Sequence, residues 1–99
     1  VVLMDKQRFD TFEKAIKTWG IDSQIGMLFE EMAELTIAIN KARRATASEN
    51  SEKAEMNIIE EIADVEIMLD QLKVMFRCEE RVTEVYKIKL ERLRRLLKI

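Results

Sequence analysis

The chain has 99 residues, enough for one domain spanning 1–99, with 36% charged and 47% apolar residues, no proline and two glycines. That balance favours a helical, soluble domain over a disordered one, and a net charge of −2 supplies no basic field for nucleic acid. With no histidine and a single cysteine, Cys78, the composition excludes imidazole acid–base chemistry, a Ser-His-Asp triad and an internal disulfide, and it argues against zinc hydrolysis.

No apolar run approaches the roughly 18 residues a membrane span needs. Val1-Val2-Leu3-Met4 is followed at once by Asp5 and Lys6, which is not the pattern of a secretory signal. Met4 is a candidate start. The lone cysteine fits a reducing compartment, so the expectation is a cytoplasmic protein with no membrane partner.

The periodicity predicts a first helix from about Asp5 to Trp19, with Phe9, Phe12, Ile16 and Trp19 as its apolar stripe. Asp5 suits its N-cap and Gly20 its C-cap. Asp22 or Ser23 then caps a second helix, from about Ser23 to Arg43. Its main stripe reads Ile25, Leu28, Phe29, Met32, Leu35, Thr36 and Ile39. Glu31 and Glu34 flank that stripe among Met27 and Ala38, and Ala33 and Ile37 lie on the other side. A helix this apolar all round expects burial on more than one face, and hence a partner subunit.

Lys41, Arg43 and Arg44 place positive charge at the end of the second helix, where its dipole favours it; with the following loop they read either as a contact to a polyphosphate or as a solvated helix end. Residues 45–51 read as the main loop, with Asn50 or Ser51 capping the next helix. The third helix is expected from about Glu52 to Phe76, with the stripe Ile58, Ile62, Val65, Leu69, Leu72 and Phe76. Glu61 and Asp64 flank it beside Met68, Gln71 and Met75, and Glu66, Asp70 and Lys73 face solvent. Met27, Met32, Met68 and Met75 are expected to fill the core. A break near Arg77 and Cys78, with no glycine or proline to mark it, leads to a fourth helix from about Glu79 to Lys98. Its stripe is Val82, Val85, Tyr86, Leu93 and Leu96, with Lys89 near the middle and Arg92 at the edge.

Two acidic clusters interrupt this apolar pattern. Residues three apart share a helix face, so Glu31 pairs with Glu34 and Glu61 with Asp64. Packed antiparallel, the two helices would gather four carboxylates that must protonate or bind cations. Hard oxygen donors without imidazole or thiolate suit Mg²⁺, with Mn²⁺ as a substitute. A di-iron bundle needs a Glu-x-x-His pair and is set aside. No Gly-rich phosphate loop is present. Lys89 reads either as a lysine snorkelling to water or as a cation facing the acidic cluster or a substrate phosphate. Trp19, Phe12 and Gln24 are candidates for base recognition.

The stretches Phe29-Glu-Glu-Met-Ala-Glu-Leu35 and Glu60-Glu-Ile-Ala-Asp-Val65, with Trp19-Gly-Ile-Asp-Ser-Gln24 ahead of them, resemble the paired motifs of the MazG-like all-α nucleotide pyrophosphohydrolases. The resemblance covers about Trp19 to Leu72. It implies an all-α, four-helix bundle-like MazG-type fold assembled as a homodimer or homotetramer. It implies Mg²⁺-dependent hydrolysis of a nucleoside triphosphate to the monophosphate and pyrophosphate, with nucleotide-pool sanitation as one role. Its metal ligands fall on Glu31, Glu34, Glu61 and Asp64, the general base on Glu30, Glu31 or Glu34, and substrate contacts on Lys89 and Arg92. The alternative is a non-catalytic helical interaction module that retains the same fold.

Overall fold

Without proline to interrupt it, the chain runs as long helices, and a residue with positive φ ends the first, third and fourth of them. The computed structural model describes residues 3–44 and 51–99. Four helices run through them: α1 Lys6–Trp19, α2 Ile21–Arg44, α3 Ser51–Phe76 and α4 Glu79–Leu97. The described residues contain no strand.

The helix ends follow from local chemistry. The Asp5 carboxylate accepts a 2.8 Å bond from the Arg8 backbone N–H and caps α1. Gly20, at φ +91°, ends α1 by donating its N–H to the Ile16 carbonyl at 2.8 Å. Its own carbonyl accepts from the Gln24 N–H at 3.1 Å, so the same residue opens α2. Asp22 and Ser23 therefore lie inside the first turn of α2 instead of capping it. Ser51 likewise lies within α3; Asn50 and the rest of the expected loop, 45–50, fall outside the described residues.

The break after α3 is a Schellman turn without glycine. The Cys78 N–H bonds the Lys73 carbonyl and the Arg77 N–H bonds the Val74 carbonyl, with Arg77 held at φ +50°. Lys98, at φ +60°, closes α4 in the same way.

α2 and α3 form the most extensively packed pair, an antiparallel hairpin, and α1 lies against both. The pairing register can be read from two layers. Gln24 meets Gln71, and ten residues further along α2 Glu34 meets Glu61, ten residues back along α3. The buried and half-buried positions along the seam are Gln24, Leu28, Glu31, Leu35, Ala38 and Ala42 on α2. On α3 they include Ile58, Glu61, Val65, Met68, Leu72 and Met75. These positions alternate in steps of four and three, the spacing of coiled-coil seams.

The seam differs from the expected stripes. Phe29, Met32 and Ile39 on α2, and Ile62, Leu69 and Phe76 on α3, are exposed, as are Met27 and, on α1, Phe9 and Trp19. Helices apolar on nearly every side do not announce which face meets the neighbour, and the close hairpin selects the row rich in small and medium side chains. Asp70 also departs from its expected solvent position. It is largely buried and pairs with Arg8 of α1 at 2.5 Å and with Lys73 at 3.4 Å.

α4 packs differently. It touches α3 alone among the helices, and none of its residues is buried. The radius of gyration, 16.7 Å, exceeds the roughly 13 Å of a compact chain of this length. α4 therefore projects as an arm, and α1–α3 carry the core of Phe12, Leu28, Ala38 and Met68. No helix among the described residues is long and apolar enough to cross a membrane.

Candidate metal centre

The two acidic motifs meet in the α2–α3 seam. Glu31 and Glu34 come from α2 and Glu61 from α3, and one carboxylate oxygen of each lies within 4.8 Å of the others. Glu31 and Glu61 occupy the seam row itself, whereas Glu34 stands exposed at its rim. The Oε2 atoms of Glu31 and Glu61 are buried and have no hydrogen-bond partner. An acceptor in that state has lost its water, and a proton shared between the two carboxyls or a cation is what can replace it.

The electrostatics follow from this crowding. Desolvation pushes the Glu31 carboxyl up to about 7, helped by the charges of Glu34, Asp64 and Glu61. Glu61 is raised as well, first by desolvation and then by Glu34 and Asp64. Asp64 therefore belongs to the same electrostatic cluster, although it is exposed and stands outside the close trio. Glu30 faces outward and is not part of the trio.

The donor set is entirely carboxylate oxygen, and two of its atoms are buried acceptors in want of a partner. Both features fit a small hard cation such as Mg²⁺ or Mn²⁺, which takes oxygen ligands and keeps several waters.

A cavity of about 270 Å³ opens beside the trio, lined by Glu34, Ile37, Ala38, Lys41, Asn57 and Glu61. Asn57 carried no sequence signal beyond its place one turn before Glu61, whereas Lys41, with Arg43 and Arg44, read either as a polyphosphate contact or as a solvated helix end. Larger hollows of about 480 and 590 Å³ lie at the foot of α4, and neither is lined by a carboxylate of the trio. Convergent charge, and not volume, locates the candidate site.

The other expected site residues are scattered. Gln24 is buried at 4% exposure, and its Nε2 donates to Gln71 Oε1 at 2.8 Å. Its side chain belongs to the core and is closed to a ligand. Trp19 is exposed at the end of α1. Lys89 lines a hollow with Cys78, Arg81, Val82, Val85 and Tyr86, and no carboxylate of the trio lines it. Arg92 lies on the exposed arm further along α4. Within one chain the structure gathers Glu31, Glu34 and Glu61 and leaves the basic candidates of α4 apart. Neither a family model, nor a curated protein, nor a solved structure matches the chain.

Proposed function

We propose that the chain is a MazG-like pyrophosphohydrolase that splits a nucleoside triphosphate into the monophosphate and pyrophosphate. The observation that carries the reading is the carboxylate trio with two buried, unpartnered oxygens at a helix–helix seam. The paired motifs around Glu31 and Glu61 supply its second support.

Glu31, Glu34 and Glu61, with Asp64 beside them, are the residues that would hold the cation. When bound, Mg²⁺ neutralises phosphate charge and lowers the pKa of a coordinated water. The chain's own part is to keep acceptor oxygens dry and converging before substrate arrives, so that little reorganisation accompanies the reaction. A carboxylate of the trio not engaged by the cation accepts the proton of the attacking water. The water oxygen forms a bond to the α-phosphorus. The bond from that phosphorus to the α–β bridging oxygen breaks, and pyrophosphate leaves with the electron pair. Glu31 and Glu34 are the nearer candidates for the base; Glu30 is exposed and outside the trio.

In this reading the protein works as a homodimer or homotetramer. Phe29, Met32, Ile37 and Ile39 of α2 and Val82, Val85, Tyr86, Leu93 and Leu96 of α4 are all exposed in a single chain. Exposed apolar side chains in this number suit an interaction surface. Lys89 and Arg92 keep a phosphate-binding role here if a second copy brings them to a trio. The same exposed faces support the alternative of a non-catalytic interaction module.

Pyrophosphate release separates the two readings. The enzyme releases pyrophosphate from members of a nucleoside triphosphate panel with Mg²⁺ or Mn²⁺ and stops when a chelator is added. A folded protein that binds no divalent cation and releases nothing is the interaction module.

A further inference from the structure

The cavity beside the trio changes character along its length. Glu34 and Glu61 form its acidic end, and Lys41 and Asn57 stand on its other walls. Lys41 lies seven residues after Glu34, two turns further on the same face of α2. Asn57 lies four residues before Glu61, one turn back on α3. Because the helices are antiparallel, these two steps lead the same way, towards the C-terminal end of α2.

The opposite direction along the seam is filled. Leu28 and Met68 are buried there, and beyond them Gln24 and Gln71 bond to each other. An elongated ligand held at the trio therefore has room towards Lys41. Helical side chains tilt towards their own N-terminus, so the long stem of Lys41 leans back in the direction of Glu34. Arg43 and Arg44 in the last turn of α2 add positive charge at that end. The apolar part of the wall, Ile37 and Ala38, offers no aromatic face on which a base could stack.

On the reading above, from which this inference starts, we infer that Lys41 and Asn57 bind the pyrophosphate portion of the substrate. Lys41 acts as a point charge on its non-bridging oxygens. Asn57 donates an amide N–H to the same group from the facing helix. The polyphosphate then runs along the α2–α3 seam, from the carboxylates towards Lys41, and this direction places the α-phosphorus at the trio. Both residues are binding residues that orient the phosphates; neither takes part in the proton transfer.

The test uses inorganic pyrophosphate with Mg²⁺, titrated calorimetrically into the full chain, alongside steady-state hydrolysis. Lys41→Met is expected to weaken pyrophosphate binding by roughly tenfold, the worth of one charge-assisted hydrogen bond. It raises KM correspondingly and leaves Mn²⁺ affinity and the helical circular dichroism unchanged. Lys41→Arg recovers most of the loss, and Asn57→Ala loses a few-fold. Lys14→Met, an exposed charge on α1, binds as wild type. If Lys41→Met binds pyrophosphate normally in a protein that hydrolyses triphosphates, the assignment fails and the hydrolase reading survives. Loss in Lys89→Met alone overturns it in the same way and moves the phosphates to α4. A wild-type chain that neither binds pyrophosphate nor hydrolyses anything takes both down.

Discussion

Two polar layers interrupt the same apolar seam, ten residues apart and so about 15 Å along the helices. In the first, Gln24 and Gln71 are 4% and 5% exposed, joined at 2.8 Å, and Gln71 Nε2 donates to the Met68 sulfur at 3.7 Å. In the second, Glu31, Glu34 and Glu61 crowd together and leave two buried oxygens without partners. The first layer is a neutral solution to burying polarity, and a polar pair of this sort fixes register. The second works against the fold that contains it. The same two helices can evidently satisfy a polar layer, so the unsatisfied one is the layer to associate with function.

Removing charge from the acidic layer should produce the largest effects, in opposite directions for activity and stability. Glu61→Gln is expected to reduce pyrophosphate release by more than about 100-fold, since even the outer partners of metal ligands are worth about 10- to 100-fold. In chelator the same variant melts at a higher temperature than wild type, because an uncompensated buried carboxylate has become a neutral amide. Parallel measurements of pyrophosphate release and thermal melting check this. Unchanged activity together with lower stability would make the acidic layer structural, like the glutamine layer.

Titration sharpens the contrast next. The Glu31 carboxyl is raised from its ordinary value of 4.5 to about 7, so between those limits the folded chain holds a proton that the unfolded chain has released. Stability then falls as pH rises through that window. It is fully present below about 4.5 and lost above about 7. Glu61 is shifted in the same direction. Thermal melts in chelator should therefore show a declining midpoint from pH 5 to pH 7.5, and Mg²⁺ should restore the midpoint at the upper end. Glu31→Gln should flatten the decline. The glutamine layer has no titrating group and contributes no such slope.

The glutamine layer makes its own prediction, smaller in size. Gln24→Leu alone leaves the Gln71 amide buried without its partner and should cost about 1–3 kcal/mol. Leu at both positions removes the need for the bond and should regain most of that loss. Chemical denaturation of the two single variants and the double variant gives the coupling directly. Additive losses would mean that the 2.8 Å bond contributes little.

How much of this was legible in the sequence depended on distance along the chain. The helices, the Asp5 cap and the Gly20 stop are local, and periodicity with capping chemistry predicts them; the break at Arg77 and Cys78 carries no glycine or proline to mark it. The pairing of Glu31 with Glu34 follows from helix geometry alone. The seam did not follow, because α2 presents Ile25, Phe29, Met32 and Ile39 as its bulkiest row while the packed row contains Gln24, Ala38 and Ala42. The one available signal was the alternation of four and three residues, shared by both helices. Register was also hidden, and with it the cavity. Lys41 and Asn57 become neighbours of the carboxylates only when Glu34 is set against Glu61. Asp70 looked solvated because its partner, Arg8, comes from another helix 62 residues away.

The smallest expected effect lies outside both layers and calibrates the rest. Gly20 and Arg77 both end helices with positive φ, at +91° and +50°. Glycine adopts such angles freely. Arg77 sits in the left-handed region, at a cost of roughly 1–2 kcal/mol for a residue with a Cβ. Arg77→Gly relieves that strain and loses part of the gain to the greater freedom of glycine in the unfolded chain. A net stabilisation of about 1 kcal/mol is expected, read as a shift in denaturation midpoint. Because Arg77 is distant in sequence from the trio, the gain should be the same at pH 5 and pH 7.5, and with or without Mg²⁺. A gain that varied with pH or cation would show that the end of α3 is coupled to the acidic layer. The slope assigned to Glu31 and Glu61 would then have to be shared with the hinge that carries α4.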